Sequence, residues 1–469
     1  MNAFNFILAA LVGATTIYAT RESYKPDPII LCSTNHHCPD NWPCCSQYGQ
    51  CGRGPLCMGG CDPRSSYSFN SCAVIPAMFP IMGFQYNTNE VQAAHLRMGD
   101  MTPALALSFA KLSGKVALQD HSVVENMALS GHGLLHYSEA SDNTINIDDY
   151  DFTYSGHLEI KEIESDPALV LAMPPGTTGS LLSSTKSFLY GRVAVEMKTA
   201  PGVGVITAFV LMSAVKDEID YEFLGGEVNN AQSNYYYRGE LIHTRMLKTP
   251  INPDSDRKYH VYELDWDEDR IQWWIDGSIV RTLYRGETFD PVNRVYKYPS
   301  TPMRLELAIW PGGLEGNDLG TVMWAGGLID WKNSADIVEK GRFEMIVKSV
   351  KITPYVNAYV QHLEPAESRF PSEDVFYYFY DPECDGCVRI TSLMTFAQQE
   401  LHTNSASVPS VSLLSTLYST RPSSYTTVSS VTQIVTSAYT SKLSATRQEN
   451  SAIVLRKQSL IFKLLSWVL

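Results

Sequence analysis

Residues 270–284 read RIQWWIDGSIVRTLY, and this stretch decides the fold class. Two runs rich in Ile, Val, Thr and Trp flank the pair Asp276-Gly277, which is typical of a two-residue β-hairpin turn. The sequence therefore predicts a hairpin with strands from Ile271 to Ile275 and from Ser278 to Leu283. Successive strand side chains point to opposite faces, so one of the neighbours Trp273 and Trp274 is expected in the core.

Similar short runs, separated by turn residues, fill about residues 116–355, and they include YGRVAVEMKT, VGVITAFVLMS, HVYELDW, MRLELAIWPGG and FEMIVKSVKITP. Many short strands without regular intervening helices are typical of an all-β sandwich of the jelly-roll kind. We therefore expect a curved β-jelly-roll sandwich as the main domain.

The composition excludes one class of partner. The chain has 469 residues, of which 44% are hydrophobic and 18% charged, so it can form two or three domains with a sizeable core. Its formal net charge is -14 and its pI is about 5.3. Because no basic surface is available for a phosphate backbone, we expect no nucleic-acid partner.

The chain ends indicate secretion. Residues 1–19 combine an apolar run with small residues, as in a signal peptide, and the run is too short for the alternative of a membrane anchor. Residues 405–447 are rich in Ser and Thr, which is typical of an O-glycosylated stalk after an extension over 356–404. The hydrophobic tail, 451–469, resembles a GPI attachment signal, but its interrupting cations leave a plain amphipathic tail as the alternative.

Eight of the ten cysteines fall between Cys32 and Cys72, which predicts a disulfide framework formed in an oxidising compartment. The spacing alone leaves 105 pairings for eight cysteines. Residues 73–115 connect this module to the sandwich. The remaining pair, Cys384 and Cys387, is expected to form a local disulfide, since no second ligand pair for a metal lies nearby.

The most informative motif is KDEIDYEFLGGE at 216–227. On a strand, Glu218, Asp220 and Glu222 share one face while the apolar residues between them share the other. Like charges on one face are destabilising, so the pattern indicates a functional demand. The Cα atoms of Glu218 and Glu222 should lie about 13 Å apart, but side chains leaning together over a curved sheet could bring the carboxyl groups to the roughly 5 to 5.5 Å of retaining glycosidases.

A second acidic cluster, Glu263, Asp265 and Asp267, has the same spacing but runs into the turn-like sequence DEDR. We expect a structural role there, with the last of these acids in a solvated loop. Sugar faces stack on aromatic rings, which makes Trp310, Trp324 and the polar-aromatic run 232–237 candidate sugar contacts. For each Trp, Trp266 included, a place in the core is the equal alternative.

Together the motifs DEIDYEFLGGE, QSNYYYRG, HVYELDW, WWIDGSIVRTL, PMRLELAIWPGG and GTVMWAGGLIDW resemble the fungal cell-wall Crh transglycosylases of glycoside hydrolase family 16, over about residues 120–355. The resemblance implies a retaining reaction that cuts a chitin chain and joins the new end to β-glucan. By position, Glu218 resembles the nucleophile, Asp220 the assisting acid and Glu222 the acid/base. Expected sugar contacts are Glu222, Glu306, Trp310 and Thr321, and further candidates are Gln232, Asn234 and Trp324.

The cysteine-rich region at 32–72 resembles a hevein-type chitin-binding module, on the strength of CCSQYGQCG at 44–52. This resemblance implies four disulfides: Cys32 with Cys45, Cys38 with Cys51, Cys44 with Cys57, and Cys61 with Cys72. Ser46 and Tyr48 match its sugar-binding positions. Gln50 and Leu56 stand where aromatic residues are usual, so a purely structural disulfide cap is the alternative.

We therefore expect a secreted, monomeric cell-wall transglycosylase that binds chitin and β-glucan and uses neither a cofactor nor a metal. Two alternatives stay open, namely a hydrolase of chitin or β-glucan that uses the same carboxylates, and a non-catalytic chitin-binding wall protein. The choice between vegetative and spore wall also stays open, as does lipid anchoring.

Overall fold

A computed structural model describes residues 24–73, 75–78, 105–108, 134–137, 150–355, 376–380 and 388–392. Short strands dominate these ranges. The first thirteen, in chain order, are β1 (Cys44–Cys45), β2 (Cys51–Gly52), β3 (Ile75–Pro76), β4 (Leu105–Ser108), β5 (Leu134–His136), β6 (Phe152–Ser155), β7 (His157–Ile163), β8 (Asp166–Met173), β9 (Ser180–Ser184), β10 (Gly191–Lys198), β11 (Val205–Ser213), β12 (Glu218–Leu224) and β13 (Asn230–Tyr236).

Ten further strands complete the described chain: β14 (Leu247–Pro250), β15 (His260–Trp266), β16 (Arg270–Ile275), β17 (Ser278–Tyr284), β18 (Phe289–Asp290), β19 (Val295–Tyr296), β20 (Met303–Pro311), β21 (Phe343–Pro354), β22 (Phe376–Tyr380) and β23 (Val388–Ser392). Two short α-helices, α1 (Leu319–Trp324) and α2 (Ala335–Lys340), follow β20. Single 3₁₀ turns lie at Gly54–Cys57, Phe69–Ser71, His243–Arg245 and Arg285–Thr288.

Two large sheets form a sandwich, as the strand pattern predicts. One sheet has the order β14-β13-β12-β11-β20-β9-β6-β5, and the other has the order β17-β16-β15-β10-β21-β8-β7, with β4 paired to β21. The sandwich is the predicted all-β jelly roll. The predicted hairpin is confirmed in β16 and β17, and Asp276 and Gly277 have φ values of 49° and 76°, the left-handed conformation that this turn requires.

The main core fills the space between the sheets. Ile219, Tyr221 and Phe223 of β12 lie in it, and Trp266 and Trp273 enter it from the opposite sheet. Trp273 is fully buried while Trp274 is partly exposed, as the alternation predicts.

The sheet that contains β12 is covered on both faces. A second apolar cluster lies on the face away from the core, and it includes Ala208 and Val210 of β11, Trp310 of β20 and Tyr48 of the cysteine-rich module. Double coverage explains why β11, β12 and β20 are buried along their whole length instead of at alternate positions.

The cysteine-rich module contains four disulfides, in the pairing that the hevein-type resemblance implies: Cys32–Cys45, Cys38–Cys51, Cys44–Cys57 and Cys61–Cys72. The β1–β2 hairpin lies at its centre. Immediately after the module, the backbone amide of Met78 donates to the carbonyl oxygen of Ser187 at 2.7 Å, so the chain leaves the module directly onto the sandwich.

The sandwich also recruits strands from outside the predicted range of 116–355. β4 extends one sheet, and β22 pairs with both β3 and β23, with Tyr378 and Tyr380 in the main core. The predictions for the signal peptide, the Cys384–Cys387 pair, the stalk and the tail lie outside the described residues. Within the described ranges, no helix has the length and apolar character needed to cross a membrane.

Candidate active site

The acidic strand has the predicted orientation. Its apolar residues point into the main core, so Glu218, Asp220 and Glu222 lie on the opposite face. We call this surface, formed by β9, β11, β12, β13 and β20, the acidic face. Asp220 is in register with Val210 of β11, which is in register with Glu306 of β20, so Glu306 lies two strand spacings, about 9 to 10 Å, from Asp220.

Hydrogen bonds from other elements fix the position of β12. The indole N–H of Trp273 donates to the backbone carbonyl of Asp220 at 3.0 Å, and the hydroxyl of Tyr221 donates to the carbonyl of Trp274 at 3.1 Å. The strand ends at Leu224, and at the next residue, Gly225, a Cβ would lie 2.4 Å from the carbonyl oxygen of Gly202. The backbone that supports the three acids is therefore held to the opposite sheet.

Burial and mutual repulsion alter the ionisation of the three acids. Burial raises the pKa of Glu218 well above its usual range, and the charges of Asp220, Glu222 and Glu306 raise it further. Burial also raises the pKa of Glu222, with a smaller contribution from Asp220. Burial raises the pKa of Asp220 to about 7, against opposing effects from Arg281 and from the backbone amide of Asn234. Repulsion is present, as the sequence predicts, but burial is the larger cause.

The carboxyl group of Glu218 is fully buried, and neither of its oxygens has a hydrogen-bond partner among the described residues. A buried carboxyl without a partner is costly, because it has lost its water without replacement. Buried carboxyl groups with strongly perturbed ionisation cluster at functional sites. Its position between two further acids makes it a candidate for covalent or proton-transfer chemistry.

A compact polar network lies on the acidic face around Glu306 of β20. Its carboxylate accepts from Arg304 Nε at 2.8 Å, from Gln47 Nε2 at 2.5 Å and from Tyr48 Oη at 2.7 Å. Ser183 of β9 lies at 3.5 Å. Two of these donors come from the cysteine-rich module, so the module contacts the same face as the catalytic candidates.

The other predicted sugar contacts lie on the opposite side of β12. Gln232 is in register with Glu222, and its Oε1 accepts from the indole N–H of Trp324 at 2.9 Å. Asn234 donates to the hydroxyl of Tyr236 at 2.9 Å. Thr321 on α1 is fully buried, and its hydroxyl has no partner within the described ranges.

Three of the predicted sugar contacts are buried in this arrangement, and their role in sugar binding stays a prediction. Trp310 has no accessible surface, and its ring stacks on Trp324 with centroids 5.9 Å apart, so it is not an open platform. Ser46 and Tyr48, the expected chitin-binding positions of the module, are each only 4% exposed. Tyr48 is buried because it packs against the acidic face, whereas Ser46 is buried within the module, where its hydroxyl accepts from the backbone amide of Gln50 at 3.3 Å.

The second acidic cluster has the structural role that we expect. Glu263 and Asp265 lie on β15 of the other sheet, and Arg192 contacts them at 2.5 Å and 3.7 Å. Asp267 lies in the following turn, where it accepts from the backbone amides of Asp269 and Arg270 at 2.8 Å. The contacts with Arg192 therefore explain Glu263 and Asp265, and the hydrogen bonds of the turn explain Asp267.

Sequence reasoning missed Arg304, Gln47 and Asp217. A signal existed for Arg304, because alternation along MRLELAIW places it on the same face as Glu306. Gln47 gave no signal, since its partner is 259 positions away. Asp217 precedes the acidic triplet, and only its buried contacts distinguish it from a surface acid.

The fold and the site define a class: a β-jelly-roll enzyme with paired carboxylates, of the kind that cleaves or transfers glycosidic bonds. Residues 146–326 match the family model described as "Glycosyl hydrolases family 16".

Relatives along most of the chain agree. "Probable glycosidase CRR1" of Saccharomyces cerevisiae is 46% identical over 355 residues, covering 74% of this chain and 82% of the relative. "Probable glycosidase CRR1" of Eremothecium gossypii is 43% identical over 366 residues, covering 75% and 80%. "Crh-like protein UTR2" of Candida albicans is 36% identical, covering 74% and 62%.

A solved structure described as "Crh5 transglycosylase in complex with NAG" is 32% identical, covers 46% of this chain and 83% of its own, and has a TM-score of 0.38. The chain belongs to glycosyl hydrolase family 16, in the group of the Crh-like proteins.

Proposed function

We propose that this chain is an extracellular retaining transglycosylase, which cleaves a glycosidic bond of chitin and transfers the new end to β-glucan in the fungal cell wall. The observation that carries the proposal is the acidic triplet of β12, three buried carboxyl groups in phase on the face away from the core. The choice of donor and acceptor rests on the resemblance to the Crh transglycosylases.

The reaction has two balanced steps. A carboxylate oxygen of Glu218 attacks the anomeric carbon, while the proton of Glu222 goes to the leaving oxygen as its bond to that carbon breaks. An acceptor hydroxyl then gives its proton to Glu222 and attacks the same carbon, which releases Glu218. The two inversions restore the original anomeric configuration.

Asp220 lies between these two residues and assists them. With a pKa of about 7, raised by burial, its carboxyl group keeps a proton in mildly acidic conditions. It can share this proton with Glu218. Sharing the proton lowers the negative charge on the nucleophile as the covalent intermediate breaks down. Glu222, with its pKa raised by burial, remains protonated and can act as the acid.

Transfer requires that an acceptor hydroxyl outcompete water. In the proposed mechanism the bound acceptor sugar must itself fill the space beside the covalent intermediate and so limit the access of water. The pair Gln232–Trp324 on β13 and α1 offers a polar and aromatic surface for a sugar on one side of β12.

Location and state are also part of the proposal. The four disulfides of the module support secretion, because such bonds persist in oxidising compartments. The resemblance of the chain's motifs to the fungal cell-wall Crh transglycosylases supports the cell wall as the destination. We propose a monomer that acts on wall polysaccharides, with its tail serving either as a GPI signal or as an amphipathic end.

The test compares Glu218→Gln with the wild type, using soluble chitin oligosaccharides as donor and a labelled β-glucan oligosaccharide as acceptor. We expect the wild type to form a labelled product of higher mass and the variant to form none. Glu263→Gln is the matched control, since it changes a glutamate of the opposite sheet, and it should keep full transfer activity.

Each contrary outcome has a definite meaning. Unchanged transfer by Glu218→Gln would exclude the assigned nucleophile. A wild type that only releases reducing sugar would be a hydrolase. A wild type that binds chitin but neither cleaves nor transfers it would be a non-catalytic wall protein.

A further inference from the structure

One edge of the cysteine-rich module is buried against the acidic face of the enzyme domain. Gln47 has no accessible surface and Tyr48 is 4% exposed. Both side chains donate to the carboxylate of Glu306, at 2.5 Å and 2.7 Å. The ring of Tyr48 belongs to the same apolar cluster as Val210 and Trp310. A surface residue of a small module has thus become part of the interior of the larger domain.

Backbone and charged contacts add to this interface. A Cβ on Gly59 would lie 3.2 Å from Arg304 Nη1, and one on Gly60 would lie 3.1 Å from Nη2, so the module backbone rests directly on that guanidinium. Arg64, which is ion-paired with Asp62 at 3.0 Å, donates to the backbone carbonyl of Val215 at 3.0 Å. The contacts follow the start of β12 and the middle of β20.

The buried edge occupies the path that a polysaccharide would need. Glu306 is in register with Asp220 two strands away, so Tyr48 sits on the acidic face beside the catalytic triplet. With the module in place, Glu218 is fully buried and cannot contact a sugar ring. The module edge and the substrate therefore exclude each other from the same face.

The connection between the two parts is short. Only residues 73 and 74 separate Cys72 from β3, which pairs with β22 and contributes Ile75 to the main core. A short tether gives the module a high effective concentration at the acidic face, in the millimolar range or above. A free oligosaccharide must compete with this intramolecular occupant.

We propose that Gln47 and Tyr48 act as an intramolecular plug of the active site, which a chain of β-linked N-acetylglucosamine displaces by donating its own hydroxyl hydrogen bonds to Glu306. The inference rests on the proposed function, since it assumes that this face binds the donor polysaccharide. Displacement exchanges the tyrosine hydroxyl and the amide of Gln47 for sugar hydroxyls, and the buried ring of Tyr48 for the apolar face of a sugar. The enzyme turns over only from the open state.

The kinetic test removes the plug. Tyr48→Ala should raise kcat/KM for a soluble N-acetylglucosamine oligosaccharide donor by about tenfold, as expected when a minor open state becomes dominant. Tyr48→Phe, which loses only the hydrogen bond to Glu306, should give a smaller rise. Tyr67→Ala changes a tyrosine of the same module that is 53% exposed, and it should leave kcat/KM unchanged. Equal or lower kcat/KM for a correctly disulfide-bonded Tyr48→Ala would overturn the inference.

A second measurement does not depend on turnover. Spin labels on cysteines that replace Tyr67 in the module and Tyr284 in β17, which is 56% exposed, report the distance between the two parts. In a Glu218→Gln background, adding the oligosaccharide should produce a second, longer distance. A single unchanged distance at saturating sugar would overturn the proposed plug. If no variant showed any transfer, the proposed function would be overturned, and the distance measurement alone would then decide whether the plug exists.

Discussion

Asp217 is the buried residue that precedes the acidic strand β12, and we predict that Asp217→Asn destabilises the protein. The residue directly precedes Glu218 and has no accessible surface. Its carboxylate accepts from the backbone amide of Arg238 at 2.9 Å, from the backbone amide of Ser300 at 3.0 Å and from the hydroxyl of Thr301 at 2.7 Å. It therefore joins the start of β12 to two loops.

The expected cost follows from counting donors and acceptors. An asparagine side chain has one acceptor oxygen, and its amide nitrogen would face groups that are themselves donors. At least one buried donor loses its partner, at about 1 to 3 kcal/mol, and each remaining bond to a charged acceptor, worth about 1.5 to 3 kcal/mol, becomes a weaker neutral one. Burial raises the pKa of Asp217, so removing the charge recovers part of this loss. We expect a net cost of about 3 kcal/mol.

Thermal unfolding measures this cost. For a domain of this size, about 3 kcal/mol corresponds to a fall in Tm of roughly 6 to 12 °C. Transfer activity should fall as well, because Glu218 shares the displaced backbone. The matched control is Glu227→Gln, which breaks an exposed ion pair with Lys248 at 2.6 Å and should change the unfolding free energy by less than about 0.5 kcal/mol. A Tm for Asp217→Asn as close to the wild type as that of the control would refute the reasoning.

Two further predictions concern pH and sugar binding. Burial raises the pKa of Asp220 to about 7 in the docked state, so protonation below that pH favours docking and its loss favours opening. We expect kcat/KM for transfer to rise as the pH approaches about 7, and a pH–rate profile of Asp220→Asn should show a smaller rise; an unchanged profile would contradict this role of Asp220. Trp324→Phe removes the indole N–H bond to Gln232 but keeps a ring against Trp310; KM should rise about three- to tenfold with kcat little changed, and steady-state kinetics showing the loss mainly in kcat would contradict a binding role.

The parts of the structure that the sequence predicts well are those set by neighbouring residues. Alternation alone places Glu218 and Asp220 on one face and Tyr221 on the other, because the period of a strand is fixed by its backbone. The turn at Asp276-Gly277 is equally local, since it depends on two residues that tolerate positive φ. These two features specify the sandwich and the position of its acidic strand.

The parts that the sequence does not predict depend on contacts between distant segments. A tyrosine such as Tyr48 can serve either as an exposed ring that stacks on sugars or as a buried hydrogen-bond donor. Only its contact with Glu306 in the structure distinguishes the two roles. Trp310 is ambiguous for the same reason, since stacking on Trp324 and stacking on a sugar need the same ring. No periodic pattern in the amino-acid sequence shows which face of the sheet the cysteine-rich module contacts.

Docking of the module and the ionisation of the acidic triplet are physically linked. Burial raises the pKa values of Glu218, Asp220 and Glu222, so the docked state binds more protons than an open state in which water reaches these groups. By linkage, a fall in pH favours docking, and a rise towards about 7 favours opening. The charged and titratable groups that interact with the triplet are Tyr236, Arg281 and Glu306. Glu306 in turn interacts with Tyr48, Tyr137 and Arg304. A triplet of acids on one strand is thus compatible with a closed cover, because burial under the cover keeps the acids in their neutral form. In the proposed mechanism the same acids act as the nucleophile and its partners once a sugar chain takes the place of the cover.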